Sequence, residues 1–219
     1  MFAIPADTKT DNATVVFFRC ETETKITRPV DQMECVLASG IVANSEAFQY
    51  AYEPSKANIR NITCWRDVVS EDGKGPFEPL LQAFDEAEAI VSYNGLEFSF
   101  PLLKKYYGRK GGPRYMQHRL KCIDPFCNIR NVTTLWPTMD SLLTCNHIPF
   151  HPPKTNPIQL WNDQRRSELR SFSSNHARLL LELVVKKTLS LPGFGVLPNS
   201  VFGIAPFLAC LRASQPSDA

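Results

Sequence analysis

Thr14 to Cys20 reads TVVFFRC, a β-branched and aromatic run with apolar side chains on both alternating faces. Such a run suits a strand covered on both sides rather than one with a wet face. Working outward, Glu34 to Ala43 (ECVLASGIVA) and Glu46 to Tyr52 (EAFQYAY) read as two further antiparallel strands around a turn at Asn44 and Ser45, and a short fourth strand fits Asn61 to Trp65. The pattern then changes. Pro76 to Ala87 (PFEPLLQAFDEA) sets Phe77, Leu80, Leu81 and Phe84 at helical spacing, Ala89 to Tyr93 (AIVSY) is a compact strand, and Ser99 to Tyr107 (SFPLLKKYY) is apolar every three or four positions. Gly108 to Pro113 (GRKGGP) reads as a loop. Cys122 to Arg130, Met139 to Asn146 and Ser167 to Lys187 read as helices. Strands first, then mixed elements, imply an α/β fold with a mixed sheet flanked by helices.

The chain has 219 residues and a formal net charge of +2, with 43% hydrophobic and 21% charged residues. That is a globular composition, and at this length a chain buries roughly 70% of the surface it would expose unfolded. The composition argues against intrinsic disorder throughout. The start, MFAIPADTKT, lacks a basic region followed by an apolar run, so no secretory signal is read. The apolar stretch from Leu189 to Leu211 is broken by Pro192, Gly193, Gly195, Pro198, Gly203 and Pro206, which argues against a membrane span. Seven scattered cysteines fit reduced thiols and an intracellular setting. The expected organisation is an N-terminal tail (1–13), one domain (14–187) and a Pro- and Gly-rich C-terminal extension (188–219) packed on the surface.

Three segments carry chemistry. Phe18-Arg19-Cys20-Glu21-Thr22 closes the first strand, Tyr93-Asn94-Gly95-Leu96-Glu97-Phe98-Ser99 lies at a strand-to-helix junction, and Phe172-Ser173-Ser174-Asn175-His176 lies inside a late helix. In order and separation they resemble the three exonuclease motifs of the DEDD 3′-to-5′ exonucleases, which have the ribonuclease-H-like fold and whose motifs read roughly F-D-x-E-T, Y-N-G-x-x-F-D and Y-C-x-N-D. The resemblance covers Thr14 to Lys187 and implies a ribonuclease-H-like mixed sheet. In that family four carboxylates hold two divalent ions for phosphodiester hydrolysis. Here the first acid is Arg19, the second is kept as Glu21, the third is Ser99 and the fourth is His176, and the water-orienting Tyr is Phe172. Magnesium needs hard oxygen ligands, so the resemblance implies a degenerate member with no catalytic residues, no metal and no cofactor. Ser99 also reads as a helix N-cap, Glu21 as an ion-pair partner of Arg19 or His176, and His176 as a helix-surface residue.

Phe98 to Ile123 holds seven basic residues and not one acid, with aromatic residues interleaved. This mixture tracks phosphates and stacks bases in single-strand binding. Arg19, Asn94, Lys104, Lys105, Tyr106, Arg109, Lys110 and Arg114 are the candidate nucleic-acid contacts, and single-stranded DNA or RNA is the expected partner. Two alternatives stand beside it. One is a protein-interaction scaffold docking a partner through residues 189–211. The other is an active exonuclease with a rebuilt site of Glu21, His176 and Asp124, which alone would call for Mg²⁺ or Mn²⁺; Asp124 otherwise reads as a structural cap. Cys122, Cys127, His147 and His151 have zinc-ligand types at unsuitable spacing.

Overall fold

A computed structural model describes residues 14–24, 29–44, 59–68, 75–151, 154–186 and 188–198. Its centre is β1, Thr14–Thr22, the strand of the opening run. On one side β1 pairs antiparallel with β2, Cys35–Asn44, which pairs antiparallel with β3, Ile59–Trp65. On the other it pairs parallel with β4, Ala89–Val91, which pairs parallel with β5, Cys122–Ile123. The sheet is therefore mixed, in the order β3-β2-β1-β4-β5, and the chain is α/β. The strand expected at 46–52 lies outside the described residues.

Alternation along β1 sends Val15 and Phe17 into one core and Val16, Phe18 and Cys20 into the other. The second core is closed by α1, Glu78–Glu86, and the short α2, Phe100–Leu103, through Leu80, Leu81, Phe84, Leu102 and Leu103. There Phe18 meets Phe84 and Phe100 edge-on at 4.8 and 5.5 Å. Beyond α2 the chain forms α3, Gly112–Leu120, then α4, Pro125–Thr133, and α5, Met139–Cys145. After α6, Pro157–Asn162, the long α7, Arg166–Val184, joins α4 and α5 over the first core. Burial on both faces explains why β1 shows no polar alternation in sequence.

Several boundaries differ from the sequence reading. The helix expected from Ser99 is a single π-helical turn at Gly95–Ser99, then α2, then a 3-10 turn at Lys104–Tyr107 that stops at Gly108 with φ +70. Gly95 is required there, since a Cβ at that position would stand 2.5 Å from Cβ of Ser92. The loop after it is shorter than expected, because Gly112 and Pro113 open α3, and Pro is favoured in a first turn. Cys122 belongs to β5, not to a helix, and α4 begins after Asp124. The C-terminal extension opens as a hairpin, β6 Thr188–Leu191 and β7 Gly195–Pro198. Leu189 and Leu191 enter the first core, and Asn146 holds both the N–H and the carbonyl of Ser190 at 2.9 Å. No helix among the described residues is long and apolar enough to cross a membrane.

Candidate functional site

The alternation that puts Val15 and Phe17 beneath α7 also carries Arg19 and Glu21 onto that face, at the end of β1. Glu21 is 5% exposed, and its Oε1 accepts from Nε of Arg19 at 2.5 Å. The Arg19 guanidinium lies over the Phe172 ring, 5.1 Å from its centroid. One helical turn further along α7, the buried His176 ring packs on Phe172 at 4.1 Å, and Phe150 meets its edge at 5.0 Å. Segments about 150 residues apart in sequence thus bring Arg19, Glu21, Phe172 and His176 together.

The protonation of His176 follows from its partners. Nδ1 stands 3.1 Å from the Phe172 carbonyl oxygen, which only accepts, so Nδ1 carries the proton and Nε2 is bare in the neutral ring. Burial, reinforced by the positive Arg19, pushes its pKa down to about 4 against the opposing pull of the Phe172 carbonyl and of Asp140, 3.6 Å away. At neutral pH the cluster holds one guanidinium, one carboxylate and a neutral imidazole. His176 is not a helix-surface residue, being 2% exposed. Ser99 is not an N-cap: it has helical torsions, makes no cap bond, and sets its hydroxyl 3.2 Å from that of Ser92.

Asp124 does cap a helix, and it does more. Its Oδ1 accepts from the backbone N–H groups of Phe126, Cys127 and Asn94, and its Oδ2 from the N–H of Leu96 and the thiol of Cys127. One buried carboxylate therefore ties the start of α4 to the Asn94–Leu96 turn, where Asn94 has φ +55. With these oxygens engaged and Glu21 held by Arg19, the set Glu21, His176 and Asp124 is not assembled into a metal site. Nor are Cys122, Cys127, His147 and His151, since no three His, Cys, Asp or Glu side chains among the described residues form a metal-holding group.

The basic segment is largely satisfied from within. Lys105 pairs with Glu34 and lies over Tyr106, whose hydroxyl donates to Glu34. Arg114 forks onto both Asp85 and Glu78, and these hydrogen bonds hold its pKa above the ordinary arginine value. Lys121 donates to the Phe84, Asp85 and Ala87 carbonyls at the end of α1, where a cation complements the helix dipole. Phe100, Tyr107 and Tyr115 lie in the core rather than on a stacking surface. Lys104, Arg109 and Lys110 are exposed and have no carboxylate in ion-pair reach among the described residues. Asn94 is half-buried, and its side-chain oxygen has no hydrogen-bond partner.

Two hollows border the cluster, and sequence reasoning found neither. A cavity of about 640 Å³ lies between Phe150, His151, Lys154 and Thr155 and the first half of α7, with Phe172 in its wall. A smaller one of about 300 Å³ is lined by Glu21, Phe98, Asn156 and Ile158. The basic residues that precede the third motif, Lys154 and Arg165 among them, are the sequence signal that could have pointed to the larger one. No known family model and no curated protein matches this sequence.

The ion pair is asymmetric, which gives a direct check. Arg19→Ala strands the buried Glu21 carboxylate, whereas Glu21→Ala leaves a guanidinium that is a third exposed and still rests on Phe172. Losing one partner of a buried charged hydrogen bond costs on the order of 2 kcal/mol, and an exposed partner recovers most of that from water. Urea unfolding should therefore show a loss of about 2 kcal/mol for Arg19→Ala and under about 1 kcal/mol for Glu21→Ala.

Proposed function

We propose that this chain is an exonuclease-like domain that holds a single strand without cutting it, its metal-binding acids having given way to an internal ion pair. The observation that carries the reading is the meeting of Arg19, Glu21, Phe172 and His176, drawn from the first and third motifs, at one place on the sheet. The resemblance places cations there, and a guanidinium now neutralises the remaining acid. At an effective dielectric of ~20, unit charges ~4 Å apart interact by about 4 kcal/mol. A divalent ion beside Arg19 therefore meets a repulsion comparable to the attraction of its one carboxylate. Phe172 also lacks a hydroxyl to orient water.

The test uses labelled single-stranded DNA and RNA with the whole chain at low salt, in Mg²⁺ and then Mn²⁺. The strand binds and stays intact, and log K falls against log[salt] with a slope of about −2, as three phosphate contacts from Lys104, Arg109 and Lys110 require at about −0.7 each. Divalent-dependent shortening that disappears in Glu21→Ala refutes the reading. Undetectable binding favours the second one, a protein scaffold, which draws support from the internal pairing of Lys105, Arg114 and Lys121 and from exposed Phe194 and Val196 on the terminal hairpin.

A further inference from the structure

The larger cavity has a chemistry of its own. Its volume of about 640 Å³ falls within the ~300–1,000 Å³ of small-molecule pockets, room for a nucleotide-sized group. One wall is aromatic, formed by Phe150 and Phe172. The other is polar and cationic, with Lys154, Thr155 and Arg165. Glu168 also lines it and is spent on orienting Arg165, accepting from its Nε and Nη2 at 2.7 Å each. The remaining Nη1 of Arg165 reaches the Thr155 hydroxyl at 3.3 Å. Lys154 is exposed and has no carboxylate within ion-pair distance among the described residues. A guanidinium fixed in place, a hydroxyl beside it and an uncommitted ammonium suit an oxyanion of high charge. The two rings suit a flat body attached to it.

We propose that this cavity seats a terminal phosphomonoester and the base next to it, with the phosphate at Lys154, Thr155 and Arg165 and the base against Phe150 and Phe172. A phosphomonoester carries about −1.5 to −2 charges at neutral pH, more than the single charge of an internal phosphodiester, so it is the better match for paired cationic groups. The same chemistry comes from a free nucleoside monophosphate or from a 5′-phosphorylated strand end. The second source deepens the strand-holding reading and rests on it; the first does not.

The experiment measures fluorescence anisotropy of the whole chain with a 3′-labelled single strand bearing either a 5′-phosphate or a 5′-hydroxyl. All arms contain EDTA, so hydrolysis plays no part. The phosphorylated strand binds about tenfold more tightly, as one charge-assisted contact provides. Lys154→Ala removes that preference and Lys154→Arg restores it, while Arg60→Ala, at an exposed arginine of β3 paired with Glu86, leaves it unchanged. AMP that competes with the phosphorylated strand makes the free nucleotide a sufficient ligand, and a preference that AMP does not compete makes the strand end the source. If no strand binds, calorimetry with AMP decides alone: binding lost in Lys154→Ala sustains the pocket while the strand-holding reading fails. Equal binding of the two strands, a preference that survives Lys154→Ala, inorganic phosphate binding as tightly as AMP, or no binding of strand or AMP overturns the proposal.

Discussion

Asp124→Ala should lower the unfolding free energy by about 4 kcal/mol, read from the urea midpoint at unchanged slope. The carboxylate is 2% exposed and accepts from four backbone N–H groups in two segments distant in sequence. Alanine strands all four. Losing an N-cap alone costs about 1 kcal/mol, and each buried donor left unpaired adds on the order of 1 kcal/mol or more. The positive end of the α4 dipole also loses its counter-charge. Asp124→Asn should recover only part of the loss, because its NH₂ group would face an N–H donor, whichever way the amide turns. A variant as stable as the parent would show that the Asn94–Leu96 turn and α4 stand independently of this residue.

The second large effect is a loss of stability in mild acid. The folded pKa of His176 is about 4, whereas an unfolded histidine titrates near 6.5. Between these values the unfolded chain binds a proton that the folded chain refuses, so falling pH favours unfolding. The loss begins as pH drops through about 6.5 and is complete near about 4, with a total of about 3 kcal/mol. His118 works in the same direction. It is fully buried, and burial lowers its pKa against the pull of Asp85 at 2.7 Å. His176→Leu should flatten the pH dependence between pH ~7 and ~4.5 relative to the parent. Carboxylates such as Asp85, held below the usual range by Arg114 and His118, contribute only at lower pH and equally in both proteins. Parallel stability curves for the two would contradict the burial of a neutral imidazole beside Arg19.

The elements legible in sequence are those whose own side chains build the core. β1 shows an unbroken apolar run because both of its faces are covered, and α1 and α7 show the helical spacing of Leu80, Leu81, Phe84, Leu169, Leu180 and Leu183. The misread elements depend on partners elsewhere. In α3, Arg114 and His118 pack inward by pairing with Glu78 and Asp85, so the helix lacks an apolar stripe. β5 has only two residues, too few for any period. The turn at Gly95–Ser99 is set by the Asp124 carboxylate, about thirty residues away. The site divides in the same way. The meeting of Arg19, Glu21, Phe172 and His176 was readable from the motifs, including a possible Arg19–Glu21 pair. The apparent basic and aromatic stretch was not, since its neutralising acids Glu34, Glu78 and Asp85 sit in other segments and its rings face the core.

The most direct test of the ion-pair account is a manganese titration of the whole chain followed by electron paramagnetic resonance, with Glu21→Ala in parallel. Parent and variant should leave the same signal of free aqueous Mn²⁺ at every addition, because Arg19 already occupies the carboxylate. A pair of ions bound by the parent and lost in Glu21→Ala would contradict it.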